Sequence, residues 1–381
     1  MSDSPALLPF IDLKAQYAKL KPAIDARIAA VLDHGQYILG PEVAELEAAL
    51  ASFAGGGQAI AVASGTDALL IALMAEEIGR GDAVFVPSFT FPATAEVICL
   101  LGAVPVFVDV EPATCNIDPA SLTAAIEAVE TAGRLRPRAV IAVDLYGLPA
   151  NYRAIAPIAE RHGLFLLADA AQSFGGADGG RRVGTLAPAT ALSFFPAKPL
   201  GCYGDGGALL TDDAERAARW RSIRAHGKGD GKYDIVRIGV NGRLDTLQAA
   251  ILLAKLEVLE AELDARERVA GSYDQALGDL VDRPARPADG QHAWAQYTIR
   301  TSIRDAVAAR LRERGVPTAI YYPRPLHRQP AYADICETPV PLEASEALAH
   351  QVLSLPMHPY LDMGESARIG AEVLAALEAG A

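Results

Sequence analysis

One lysine stands where an amine could act as a nucleophile. The apolar run from Thr190 to Phe195 predicts a buried strand, and the prolines and glycines that follow it exclude regular structure, so Lys198 lies on a tight loop at a strand end. Apolar neighbours lower the pKa of an amine, which makes a neutral nucleophile available near pH 7. Such an amine can form an imine with a carbonyl compound. The alternative is a lysine that reaches from an apolar loop into water.

An aspartate and a small-residue turn occupy comparable positions. The apolar run from Leu164 to Ala168 leads directly into Asp169, and a carboxylate at a buried strand end needs a cation or a hydrogen-bond donor. Ser-Gly-Thr-Asp at 64–67 joins a short strand to a helical run, and its free N–H groups favour an anion such as a phosphate. Each feature alone is also consistent with a helix cap.

The three features together match the three polar parts of pyridoxal 5′-phosphate (PLP). Its phosphate would bind at Gly65 and Thr66, its protonated ring nitrogen at Asp169, and its aldehyde at Lys198. The sequence therefore predicts a PLP site at one edge of a sheet.

Three further residues are candidates for contacts with this cofactor. Phe91 could stack on the ring, although a place in the core is the more common fate of a phenylalanine. Gln172 could hydrogen bond to the ring hydroxyl, and Ser193 could add a phosphate contact.

The elements that must position these residues alternate between strands and helices. Continuous apolar runs such as 139–143 indicate strands covered on both faces, which predicts a three-layer α/β fold with a mostly parallel sheet. Ligands of such folds collect at the carboxyl ends of the strands. A long helical pattern from Arg243 to about Glu267 leads to a smaller α+β part. We therefore predict a large cofactor-binding domain with N-terminal helices at 1–257 and a small C-terminal domain at 258–381.

Composition restricts the class of protein further. The 381 residues are 51% hydrophobic and 21% charged, as in soluble globular proteins, and the net charge of −13 disfavours nucleic acid and anionic membranes as partners. Four scattered cysteines without a CxxC pair predict reduced thiols and no metal site. With no signal peptide and no long apolar span, the expected location is cytoplasmic.

Five blocks of sequence carry a family pattern. They are Ser-Gly-Thr-Asp-Ala-Leu (64–69), Pro-Ser-Phe-Thr-Phe (87–91), Asp-Ala-Ala-Gln-Ser-Phe-Gly (169–175), Ser-Phe-Phe-Pro-Ala-Lys-Pro-Leu-Gly-Cys-Tyr-Gly-Asp-Gly-Gly-Ala (193–208) and Val-Asn-Gly-Arg-Leu-Asp-Thr-Leu-Gln-Ala-Ala (240–250). The chain thereby resembles the DegT/DnrJ/EryC1/StrS family of nucleotide-sugar aminotransferases. The resemblance implies the fold type I architecture of PLP-dependent transferases, with a seven-stranded sheet. It also implies a homodimer with active sites at the subunit interface and L-glutamate as amino donor.

The resemblance also implies a role for each cofactor contact. Those roles are the Schiff-base lysine and proton shuttle (Lys198), the partner of the ring nitrogen (Asp169), the ligand of the ring hydroxyl (Gln172), the phosphate contacts (Gly65, Thr66, Ser193 and, from the other subunit, Asn241) and the stacking aromatic (Phe91).

Within this family, the chain resembles members that aminate C-3 of a 3-keto nucleotide sugar for O-antigen lipopolysaccharide. Arg243 is the candidate for binding a sugar carboxylate, because a guanidinium matches a carboxylate in two-point contact; a structural pair with Asp245 is the alternative. Where such members often read His-Tyr-Pro, this chain has Tyr321 and Tyr322, which we take with His327 as substrate-binding candidates. Two other functions stay open: amination of a dTDP-3-keto-6-deoxyhexose, and a non-catalytic PLP-binding regulatory protein.

Overall fold

The structure is a computed structural model that describes residues 8–231 and 233–379. Within these residues the chain forms twelve α-helices. They are α1 (Leu13–His34), α2 (Pro41–Ala54), α3 (Gly65–Ala75), α4 (Ala93–Leu100), α5 (Pro119–Ala132), α6 (Tyr152–Arg161), α7 (Ala214–Arg224), α8 (Thr246–Leu256), α9 (Leu259–Leu277), α10 (Arg304–Glu313), α11 (Glu343–Gln351) and α12 (Met363–Glu378). Short 3₁₀ turns lie at Leu145–Gly147, Leu326–Arg328 and Pro330–Tyr332.

The same described residues contain twelve strands. They are β1 (Gln58–Val62), β2 (Asp82–Pro87), β3 (Val104–Val108), β4 (Arg136–Val143), β5 (Phe165–Asp169), β6 (Ala177–Asp178), β7 (Arg181–Arg182), β8 (Ala189–Ser193), β9 (Gly207–Thr211), β10 (Gly290–Gln291), β11 (Tyr297–Arg300) and β12 (Val352–Leu355).

In the part of the chain that the structure describes, seven strands form the central sheet. Their order is β1-β9-β8-β5-β4-β2-β3, and β9 runs antiparallel to both of its neighbours while the other adjacent pairs are parallel. Side chains that alternate along a strand reach both faces: Val84 and Val86 of β2 pack with α3 and α4, whereas Ala83 and Phe85 pack with α5. The prediction of a three-layer α/β fold with a mostly parallel seven-stranded sheet is thus confirmed.

The C-terminal part is built on the antiparallel pair of β11 and β12. These strands pack with α9, α10 and α12 around the buried rings of Trp294, Tyr273 and Tyr297. The sequence predicts an α+β part here, but its patterns miss β12, whose four buried residues follow α11 directly.

The prediction of a single helix from Arg243 to about Glu267 is wrong, because two helices occupy this stretch. Arg243 is extended and pairs with Val62, and helix begins only at Thr246. The chain then turns at Val258, whose N–H bonds to the carbonyl of Lys255, before α9 begins. Buried residues recur at helical spacing on both sides of the turn, so the sequence pattern does not show that the helix ends there. We propose that the boundary between the two domains lies at this turn, at 257/258.

No helix in residues 8–231 and 233–379 is long and apolar enough to cross a membrane. In the same residues, no group of three or more His, Cys, Asp or Glu side chains could hold a metal ion. All four cysteines are free thiols.

Candidate functional site

A cavity of about 420 Å³ opens at the carboxyl ends of β5 and β8, a size typical of small-molecule sites. The structure brings most of the predicted site residues to its wall: Gly65, Thr66, Phe91, Asp169, Gln172, Ser193, Lys198, Tyr321 and Tyr322. They come from strand ends, one helix start and one C-terminal loop. The convergence expected at this edge of the sheet is therefore present.

Asp169 is the last residue of β5 and is 6% exposed. Its carboxylate accepts hydrogen bonds from the Thr94 hydroxyl at 2.8 Å and from the Ala171 N–H at 3.3 Å. Burial raises the pKa of Asp169, although these hydrogen bonds and the charge of Lys198 oppose the shift. A carboxylate in this setting is stabilised further by any cation that enters the cavity.

Lys198 lies on the loop after β8, where its N–H bonds to the carbonyl of Phe195 at 2.9 Å. Part of the side chain stays accessible. Desolvation by its neighbours lowers the pKa of its amine to about 8, while the charge of Asp169 acts in the opposite direction. The neutral and the charged amine therefore coexist near neutral pH. A group that attacks a carbonyl and also carries a proton needs both forms.

The turn before α3 forms the opposite wall. Ser64 caps the helix by accepting the Asp67 N–H at 3.0 Å, which leaves the N–H groups at the helix start free. A Cβ added to Gly65 would lie 2.7 Å from the Cβ of Ser193. Only a glycine allows the backbone to come so close to Ser193.

Gln172 and the aromatic residues complete the wall. The side-chain oxygen of Gln172 accepts the Tyr146 N–H at 2.6 Å, and its amide group donates to the Tyr322 hydroxyl at 3.3 Å. The rings of Tyr322 and Phe91 are 6.2 Å apart at 47°. Phe91 is 55% exposed, so it is no core residue in this chain.

Three predicted residues do not line this cavity. Asn241 is exposed and pairs through its backbone with Ala225. The Nε of Arg243 is buried without a hydrogen-bond partner among the described residues. His327 lies between the Ser88 hydroxyl, at 2.6 Å, and Glu346, at 3.1 Å.

Sequence reasoning missed Thr94, which holds Asp169 from α4. The two residues are 75 positions apart, and a threonine in the first turn of a helix carries no sequence signal that links it to a distant carboxylate. The contact forms only because the folded chain places the start of α4 beside the end of β5.

These residues fit PLP. Free N–H groups beside a glycine suit the phosphate, the buried carboxylate of Asp169 suits a protonated ring nitrogen, and Lys198 supplies the amine. When bound, PLP supplies an electron sink that stabilises the charge left when an amino acid loses its Cα proton.

Comparison with known proteins identifies the family. A model of the DegT/DnrJ/EryC1/StrS aminotransferase family matches residues 18–374. Over 357 residues, 93% of this chain and 96% of the relative, the chain is 50% identical to a Pseudomonas aeruginosa protein named UDP-2-acetamido-2-deoxy-3-oxo-D-glucuronate aminotransferase. It is 43% identical to a "pleiotropic regulatory protein" of Geobacillus stearothermophilus, covering 93% and 94% of the two chains.

Among solved structures, a DegT DnrJ EryC1 StrS aminotransferase from Brucella abortus matches with a TM-score of 0.95 at 52% identity, covering 97% of this chain and 99% of that one. The sequence and the fold both match this family. The chain belongs to the DegT/DnrJ/EryC1/StrS family of PLP-dependent sugar aminotransferases, with the fold type I architecture.

Proposed function

We propose that this aminotransferase moves the amino group of L-glutamate to C-3 of a 3-keto nucleotide sugar, and that the sugar is UDP-2-acetamido-2-deoxy-3-oxo-D-glucuronate. The observation that carries the proposal is the meeting of Lys198 and Asp169 in one cavity, in a chain 50% identical to a relative named for that substrate. On this proposal the reaction takes place in the cytoplasm and belongs to O-antigen biosynthesis.

Each residue then has a definite task. Lys198 would hold the cofactor through its amine and would take up and return the proton at the Cα of the amino donor. Asp169 keeps the ring nitrogen protonated, and the backbone at Gly65 and Thr66, with Ser193, holds the phosphate. Phe91 and Tyr322, whose rings lie at the cavity wall, would contact the cofactor and restrict its orientation.

The cations that the substrate needs point to a second subunit. A uronate sugar nucleotide carries a carboxylate and a diphosphate, but Lys198 is the only Lys, Arg or His among the described residues that line the cavity. We propose a homodimer in which Arg243 of one chain binds the sugar carboxylate at the other chain's site and Asn241 contacts the phosphate of PLP. The exposed position of Asn241 and the exposed apolar side chains of Phe91, Phe195 and Ile238 support this assembly.

A panel of 3-keto sugar nucleotides tests the substrate. Wild-type enzyme with glutamate should release 2-oxoglutarate fastest with the uronate. Arg243→Ala should lower kcat/KM for the uronate by about 100-fold and for the matching 6-deoxy sugar by less than about 3-fold, because only the uronate has the carboxylate.

Two results would contradict this. An equal loss for both sugars would remove the carboxylate role of Arg243, and faster turnover of a dTDP-6-deoxy sugar would replace the proposed substrate. A wild-type chain that binds PLP but transfers no amino group to any sugar would favour the regulatory role for which the Geobacillus relative is named.

A further inference from the structure

Asp144 is a second buried carboxylate next to Asp169, and the proposed reaction does not use it. It follows β4 directly and is 0% exposed. Its N–H donates to the backbone carbonyl of Asp169 at 3.0 Å, which continues the pairing of β4 with β5. Among residues 8–231 and 233–379, no lysine, arginine or histidine forms a hydrogen bond or an ion pair with its carboxylate.

Three neutral donors hold this carboxylate. The hydroxyl of Ser173 donates at 2.6 Å, the hydroxyl of Tyr152 at 2.7 Å and the N–H of Ala150 at 2.8 Å. Burial raises the pKa of Asp144 to about 7, and the charge of Asp169 adds to the shift while the three hydrogen bonds oppose it. Burying an acidic group without a cation costs free energy that hydrogen bonds offset only in part. The residues that donate these bonds therefore indicate which segments Asp144 holds in place.

The partners belong to two segments. Ser173 lies in the turn that begins with Asp169 and contains Gln172, whereas Ala150 and Tyr152 lie at the start of α6. The Tyr146 N–H, two residues beyond Asp144, donates to the side chain of Gln172. The loop after β4 and the turn after β5 are therefore joined by side chains at both Asp144 and Gln172.

We propose that Asp144 is a positioning residue for the cofactor: by accepting the Ser173 hydroxyl, it fixes the turn that holds Asp169 and Gln172 at the cavity wall. The inference rests on the proposed cofactor roles of those two residues and is independent of which sugar is aminated. Groups of this kind behind a ligand-binding residue typically contribute about 10-fold or more to affinity.

The test compares four variants of the full chain, prepared without cofactor and titrated with PLP. Asp144→Ala and Ser173→Ala should each weaken PLP binding by about 10-fold, and Asp144→Asn, whose amide can still hydrogen bond to the Ser173 hydroxyl, should lose less. Tyr152→Phe is the matched control, because it removes a hydrogen bond from the same carboxylate but lies outside the Asp169 turn. The circular dichroism of the bound cofactor, which reports its orientation, should weaken in the first two variants and stay unchanged in Tyr152→Phe.

The double variant Asp144→Ala/Ser173→Ala decides between positioning and general support of the fold. Both changes remove the same hydrogen bond, so the double variant should bind PLP no more weakly than the worse single variant. Effects that multiply, or a cofactor signal that changes equally in Tyr152→Phe, would overturn the proposal. If Asp144→Ala does not fold, an unchanged PLP affinity in Ser173→Ala overturns it as well. Since the readout is cofactor binding, failure of this proposal is distinct from a wrong sugar.

Discussion

The chemistry depends on how one amine is surrounded. Lys198 is desolvated enough to lose its proton near neutral pH, while Asp169 keeps the shift from going further. Lys255, which is buried, also has a pKa lowered to about 8, yet its amine bonds to the carbonyl of Gly201 at 2.6 Å and lies over the ring of Tyr203. Position in the cavity, and not basicity alone, therefore distinguishes the proposed Schiff-base lysine from Lys255.

Covalent attachment of PLP should depend on pH through Lys198. Only the neutral amine attacks the aldehyde, so the rate of attachment should rise about 10-fold per pH unit below 8 and level off above it. Borohydride trapping followed by peptide mass spectrometry gives the rate and should locate the cofactor on Lys198. Lys198→Ala is the control that should trap nothing.

Asp169→Asn tests the direction of this electrostatic effect. The negative charge of Asp169 favours the charged amine, so its removal should lower the pKa of Lys198 and move the pH profile to lower pH. A trapping rate that stays constant between pH 6 and 9, or a profile that moves upward in the variant, would contradict the assigned electrostatics.

Residues adjacent to a strand end could be predicted, and residues that act across the sheet could not. Lys198 and Asp169 were accessible to sequence reasoning because each lies within three residues of the end of an apolar run. Thr94 and Asp144 approach Asp169 from other strands or helices, and no local pattern records such a contact. The sequence also could not show that three predicted residues, His327, Asn241 and Arg243, lie outside the cavity wall. Their positions depend on how loops far apart in the sequence pack together.

The turn into α3 illustrates how an element creates a binding surface. Its cap occupies one side of the helix start, and Gly65 brings the backbone against Ser193. Gly207 on β9 is just as tightly placed, because a Cβ there would lie 2.4 Å from the carbonyl oxygen of Ser64. Two glycines thus allow the end of the sheet and the helix start to meet.

Gly65→Ala should separate these two elements. Overpacking at this contact should lower stability by about 1–3 kcal/mol and weaken PLP binding by about 10-fold or more, as measured by thermal unfolding and PLP titration. Gly271→Ala is the matched control: this glycine lies in α9 with no atom within 4 Å of an added Cβ, so the change should stabilise the chain by about 0.5–1 kcal/mol. A Gly65→Ala protein with unchanged PLP affinity would show that the turn does not hold the phosphate.

Element types were easier to predict than element ends. The buried strands of the central sheet were recognisable as apolar runs, because both of their faces are covered. The break between α8 and α9 was not, since buried residues lie on both sides of the turn at Val258. The short strand β12 was hidden because it directly follows the helical residues of α11.

Subunit assembly decides whether the site is complete. If Asn241 acts at the partner's cavity, Lys198→Ala and Asn241→Ala homodimers should both be nearly inactive. Mixing them by unfolding and refolding together should restore about a quarter of wild-type activity, because half of the dimers are mixed and one of their two sites has both native residues. Activity and the dimer mass, twice 40.0 kDa, are measured on the same samples. No recovery in the mixture would place Asn241 at its own chain's site.

The half-exposed rings of Phe91 and Phe195 at the cavity mouth could make cofactor binding depend on protein concentration in the cell. If a second copy covers them, a newly synthesised monomer would retain PLP poorly until it dimerises. The fraction of the protein that carries the cofactor would then rise with the expression level. Dilution would release the cofactor at concentrations where the chain is still folded.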